Sequence, residues 1–259
     1  MSRIGATFLR LSAQQRLALI AYLTVGYPRL DATPSLVEAA AQSGADAIEL
    51  GIPFSDPLAD GRTIQAASQV ALAAGVTVTR ALDAAKAARR TTDVPLLFMT
   101  YVNPILAYGL ERFCRAASDA GIDGLIVPDL PPSESADLGR AADASGIDLV
   151  FFVAPTSSDA GIAAACRAAT GFIYCIAVTG VTGARAQLDP SVIPMIETVR
   201  RHTRLPIVVG FGISKPEHLE ALTGKADGVI VASALLDAIA RAPGDPATEV
   251  RRFLNDLRR

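Results

Sequence analysis

Residues 41–50 read AQSGADAIEL, and variants of the phrase return as SDAGIDGLIV at 118–127, DASGIDLVFF at 143–152 and LTGKADGVIV at 222–231. Each joins the end of an amphipathic stretch to a Gly or nearby turn, then an Asp, then a short apolar run. Apolar runs of about 4–8 residues that end at Gly, Pro or Asp favour strands over helices. The phrase therefore marks a helix-to-strand junction. It speaks for the fold and is silent on function.

Working outward, such runs recur at Ala18–Val25, Ala45–Leu50, Pro95–Thr100, Gly124–Val127, Asp148–Val153, Gly171–Val178, Pro206–Gly210 and Gly228–Val231. Ala-rich stretches with helical spacing lie between them, among them Val78–Arg90, Leu110–Ala120, Ser133–Ser145 and Leu235–Leu257. Eight strand–helix alternations predict an α/β fold, a single (β/α)8 TIM barrel over residues 1–259. An extra N-terminal helix precedes it, and the loops after the second and sixth strands are elaborated. Cap signals are read at Asp31 or Thr33, at Ser133 and at Asp189-Pro190. A doubly wound open sheet is the alternative, but no GxGxxG follows the first strand, which disfavours a dinucleotide site.

Composition narrows the function. Of 259 residues, 51% are hydrophobic and 19% charged, with a net charge of −2. A large core fits, while a nucleic-acid partner does not. Every apolar run is broken before the roughly 20 residues a membrane span needs. Cys114, Cys166 and Cys175 are too scattered for a disulfide framework or a metal knuckle. A cytoplasmic protein is expected. Lys86, Lys215 and Lys225 fall in helices or at the wrong end of a strand, so an imine-forming aldolase is excluded. His202 and His218 fall in outer helices, which excludes a His-ligated metal aldolase.

Carboxylates remain. Alternation along Ala45–Leu50 turns Glu49 into the barrel at the functional end of the second strand, where apolar surroundings suit a group that gives and takes protons. Asp60 is read either as the cap of the next helix or as a group reaching over the barrel mouth. Asp56 reads as an Asx turn before Pro57, and Asn103 and Asp129 as turn residues. Tyr174 alternates with Ile176 and faces inward, so its hydroxyl needs a partner. Small residues fill three successive loops, Thr179–Ala184, Gly210–Ser214 and Ala232–Ala234, at the corner where many barrels cradle phosphate.

Several segments together resemble the α subunit of tryptophan synthase: YLTVGYP (22–28), ELGIPFSDPLAD (49–60), YVNP (101–104), VPDLP (127–131), VAPT (153–156), VTGVTGAR (178–185) and GFGIS (210–214). ELGIPFSDPLADG is highly specific, and the other segments keep the family's order. The resemblance implies retro-aldol cleavage of indole-3-glycerol phosphate to indole and glyceraldehyde 3-phosphate. The protonated indole is the electron sink, so neither lysine nor metal is required. It implies Glu49 as general acid and base, Asp60 as acceptor of the indole N–H, and Tyr174 as an active-site residue. Gly183, Gly212, Ser233 and Ala232 would hold the phosphate; Tyr22, Tyr101, Thr182 and Phe211 would line the pocket. Pro53, Asp56, Pro57 and Asn103 would meet a β subunit in an αββα complex. Pyridoxal phosphate would belong to that subunit, leaving this chain without a cofactor. The loop containing Val181–Arg185 is expected to close over substrate. Arg62, Ala232 and Cys175 depart from the family's common residues, with consequences for Asp60, the phosphate loop and Tyr174. Two other readings are a phosphosugar isomerase with paired carboxylates and a non-catalytic activator of a β subunit.

Overall fold

The computed structural model describes residues 1–176, 190–210, 212–242 and 244–259. Eight parallel strands close into a barrel in chain order: β1 (Ala18–Thr24), β2 (Ala47–Gly51), β3 (Leu96–Met99), β4 (Gly124–Ile126), β5 (Asp148–Val153), β6 (Ile173–Ile176), β7 (Ile207–Gly210) and β8 (Gly228–Val231). Closure is direct, with Ala18 of β1 in register with Gly228 of β8. An open sheet is thereby excluded. The expected extra helix is α1 (Arg3–Ala13), opened by Ser2, whose hydroxyl accepts from the Gly5 N–H. It buries Ile4, Phe8 and Leu11 at the N-terminal end of the barrel, where Phe8 meets Phe172 with ring centroids 5.9 Å apart.

The outer helices are α2 (Thr33–Gln42), α3 (Arg62–Ala73), α4 (Val78–Arg89), α5 (Val102–Tyr108), α6 (Leu110–Asp119), α7 (Ala136–Ala144), α8 (Asp159–Ala168), α9 (Val192–His202), α10 (Pro216–Leu222), α11 (Ser233–Ala240) and α12 (Pro246–Leu257). Three readings of the sequence are corrected. Leu235–Leu257 is two helices: Pro246 has no N–H for a helix interior, so it opens α12 while Asp245 caps it. Ser133–Ser145 begins with a 3-10 turn, Pro132–Glu134, before α7. Asn103 is helical rather than a turn, because the Asp129 carboxylate accepts the Val102 N–H (2.9 Å) and starts α5.

Caps also differ from expectation. Neither Asp31 nor Thr33 caps α2; the Thr33 hydroxyl accepts the Gly26 N–H (2.9 Å) instead. Ser135, not Ser133, stands at the start of α7. Asp189 lies outside the described residues.

The recurring Asp becomes a clamp between strands. Asp46 gives its N–H to the Leu19 carbonyl (2.7 Å) and accepts the Leu19 N–H on its carboxylate (3.0 Å). Asp123 does the same to Leu96, and Asp227 to Ile207. Thr170 repeats it one register step away, its hydroxyl accepting the Leu149 N–H (2.8 Å). All four precede even-numbered strands and grip the strand before. Asp148 shares the phrase but not the role: its Oδ2 is buried without a partner among the described residues. Arginines close the clamps, with Arg16 and Arg258 on Asp46, Arg3 and Arg89 on Asp123, and Arg200 on Asp227.

Candidate active site

The opposite end of the barrel holds an apolar cavity of about 180 Å3. Glu49 of β2, in register with Tyr22 of β1 and Leu97 of β3, enters it from the floor. It is 1% exposed, and neither carboxylate oxygen has a hydrogen-bond partner among the described residues. Burial, and then the charge of Asp60, raise its pKa to about 8.

Asp60 comes from the loop after β2. The helix-cap reading fails, because Gly61 is the residue that opens α3. The Asp60 carboxyl lines the cavity instead, and its Oδ1 is buried with no partner among the described residues. Burial pushes its pKa up to about 6, against a hydrogen bond from Tyr101 that lowers it. Tyr101 stands behind Asp60 rather than among the cavity walls, which corrects its reading as a pocket residue. Its hydroxyl accepts the Ala59 N–H (2.9 Å), and its ring packs on Phe54 at 5.3 Å. The Asx turn at Asp56 is also replaced: that carboxylate takes the Ser55 hydroxyl.

Two tyrosines flank Glu49. Tyr22 lies over Gly51, where a Cβ would come within 2.0 Å of its hydroxyl. Tyr174 lies over Gly210, where a Cβ would come within 2.1 Å of its ring. Each glycine makes room for a ring from the neighbouring strand. Tyr174 and Ile176 both face the cavity as alternation predicts, and Phe152 stacks on Tyr174 at 4.6 Å. The hydroxyl of Tyr22 accepts from Thr24 (3.5 Å), while that of Tyr174 makes no hydrogen bond among the described residues. Burial raises the pKa of both phenols, so both stay protonated at neutral pH.

At the far rim the cavity meets Gly212, Ser214, Ala232, Ser233 and Ala234. Gly212 holds φ +76°, with open space where a side chain would project. Ala232 precedes α11 at φ −124°, so the position does not call for the left-handed conformation that favours glycine. The first N–H groups of α11 and the positive end of its dipole suit an anion here. Gly183, Thr182, Phe211 and the rest of the loop containing Val181–Arg185 lie outside the described residues.

The other departures fall away from the chemistry. Cys175 is buried behind the strand, between the inward-facing Tyr174 and Ile176. Arg62 is exposed at the start of α3 and makes no ion pair among the described residues. Of the residues expected at an interface, Asp56 and Asn103 are exposed and Pro57 half-buried. Pro53 is buried within this chain. Leu58 (93% exposed) and Leu106 (55%) stand out beside them instead. Sequence reading passed over these leucines, although each sits in a segment whose neighbours were singled out. It also missed the apolar walls Ile64, Met99 and Ile230, of which alternation could have found the last.

Among the described residues no lysine lines the cavity and no group of three or more His, Cys, Asp or Glu is placed to hold a metal. No helix among them is long and apolar enough to cross a membrane. A closed (β/α)8 barrel with two acidic side chains in an apolar mouth, Glu49 and Asp60, facing an anion cradle, defines an acid–base enzyme of the barrel class. The tryptophan synthase alpha chain model matches residues 8–258, and the chain belongs to that family. It is 49% identical to the tryptophan synthase alpha chain of Roseiflexus sp. over 260 residues, covering all of both chains. To the Geobacter sulfurreducens alpha chain it is 46% identical, covering 100% of this chain and 98% of the relative. A solved Mycobacterium tuberculosis tryptophan synthase superposes with a TM-score of 0.92 at 37% identity, covering 99% of this chain and 97% of that one. The alpha subunit from Legionella pneumophila gives 0.92 at 35%, covering 100% and 97%. The chain is thus an enzyme subunit that cleaves indole-3-glycerol phosphate and hands indole to a β chain.

Proposed function

We propose that Glu49 is the proton-transfer group of this cleavage and Asp60 its electrostatic partner. The observation that carries the reading is the pair of unpartnered oxygens on Glu49, raised to about 8 and open to the cavity. At neutral pH Glu49 is mostly protonated and can give its proton to indole C3. The bond between C3 and the glycerol carbon then breaks, and its electron pair returns to the ring. The adjacent glycerol hydroxyl becomes a carbonyl as its proton passes to Glu49, which ends as it began. Asp60, at about 6, is mostly ionised. It accepts the indole N–H and balances the positive charge that forms on protonation. Tyr22 and Tyr174 wall the indole. Ser233, Ala232 and Gly212 cradle the phosphate, with Gly183, and Phe211 and Thr182 complete the pocket.

The same proposal takes residues 1–259 as one domain acting in the cytoplasm. Two copies join two β subunits as αββα, through Asp56, Pro57, Asn103 and the exposed leucines beside them. Pyridoxal phosphate is carried by the β subunit and not by this chain.

Glu49→Gln tests the reading. Indole release is expected to fall about 10²–10⁴-fold, while the fold and inhibition by inorganic phosphate survive. Retained turnover overturns it. In the unaltered enzyme kcat/KM is expected to rise as Asp60 ionises near pH 6 and to fall as Glu49 loses its proton near pH 8.

A further inference from the structure

His218 has no part in the mechanism above, yet it is buried (3% exposed) and tied to the wall of the cavity. It lies in the first turn of α10, and its Nδ1 accepts the backbone N–H of Ser214 at 3.3 Å. An accepting Nδ1 means a neutral ring with its proton on Nε2. That Nε2 is buried with no acceptor among the described residues. An apolar side chain would fill the same place without stranding an N–H. What the imidazole adds is the bond to Ser214.

Ser214 lines the rim beside Gly212 and Ile213. Its hydroxyl reaches back to the Gly212 carbonyl at 3.4 Å, so the turn is tied at two points, by His218 and by its own serine. Among the described residues the N–H groups of Gly212 and Ile213 make no hydrogen bond. Gly212 has no neighbour at its Cβ position among the described residues and holds a left-handed conformation, so none of their side chains packs on the turn there.

We infer that His218 is a positioning residue for the substrate's phosphate, acting through Ser214 to hold the turn after β7 in its anion-ready shape. This rests on the phosphate reading of that rim. The effect belongs to binding and not to the proton transfers at Glu49, which lies on a different strand.

The test compares His218→Gln with His218→Leu in the full chain with its β subunit. Glutamine can accept the Ser214 N–H through its side-chain carbonyl; leucine cannot. His218→Leu is expected to raise KM for indole-3-glycerol phosphate, and the inhibition constant of inorganic phosphate, about fivefold, with kcat within about twofold. His218→Gln is expected to restore both. Amide exchange at Ser214 should quicken in the leucine variant alone. An unchanged KM in His218→Leu, or a glutamine variant as impaired as leucine, overturns the role of His218. If phosphate fails to compete even in the unaltered enzyme, the phosphate reading itself falls and takes the inference with it. A leucine variant with a lowered melting temperature is judged on the glutamine variant, whose wild-type KM and slow Ser214 exchange support the inference and whose raised KM defeats it.

Discussion

Asp46 stands just before β2 and Glu49 in the middle of it, and both are buried, at 5% and 1% exposure. Asp46 is surrounded by donors: the Leu19 N–H, Arg16, Arg258 and, at 4.0 Å, Arg10. Glu49 has none among the described residues, and the charge that acts on it there is another acid, Asp60. One strand therefore carries a carboxylate spent on the fold and a carboxyl kept for chemistry. The difference lies in what the neighbours supply. At the N-terminal end, α1 and the tail of α12 bring cations to the strand. Toward the C-terminal end, β1 and β6 bring Tyr22 and Tyr174, and the loop after β2 brings Asp60.

The largest stability effect expected from this contrast comes from the chemical end. Glu49 has a folded-state pKa near 8, above its ordinary 4.5. Its contribution to stability is complete below about 4.5 and is lost as pH rises through about 8. Glu49→Gln carries no proton to lose. It should match the unaltered protein at pH 4.5 and gain on it up to pH 8 and above, by about 4 kcal/mol. Denaturant midpoints at the two pH values measure this. A constant difference would mean that Glu49 finds a partner after all.

Asp46→Ala tests the other end with the opposite sign. It leaves a buried N–H on Leu19 without an acceptor and strips the arginines of their shared anion. Those arginines are 26–52% exposed, so water takes up part of their loss. A destabilisation of about 3 kcal/mol is expected, read as a lower denaturant midpoint at pH 7. Indole release per folded molecule should be unchanged. A large fall in turnover would show that the two ends are coupled through β2.

The contrast also marks what could be read in advance. Strands were legible because short apolar runs between Gly, Pro and Asp have few other uses. Glu49 was legible because alternation on β2 gives it only one side to face. The place of Asp60 was not, since a residue before Gly61 fits a helix cap as well as a cavity wall. Tyr101 acts through the backbone N–H of Ala59, 42 residues away in the chain, and no local spacing announces such a bond. Asp148 misled for a related reason: it carries the phrase of Asp46 but opens an odd-numbered strand, where the clamp is not built.

The smallest expected effect comes from Asp227, and it asks what the clamps need. Asp227 is 35% exposed and its partner Arg200 is 40% exposed, so their ion pair is screened. Asp227→Asn removes the charge but keeps an oxygen that can accept the Ile207 N–H. A loss below about 1 kcal/mol is expected, seen as a small shift of the denaturant midpoint. A loss as large as that of Asp46→Ala would mean that charge itself joins the strands. Thr170 argues against that outcome. It grips Leu149 with a neutral hydroxyl at 2.8 Å, so one of the four clamps already works without a carboxylate. What an even-numbered strand requires at its start is an acceptor oxygen facing the strand before it, and the arginines are added where that oxygen happens to be charged.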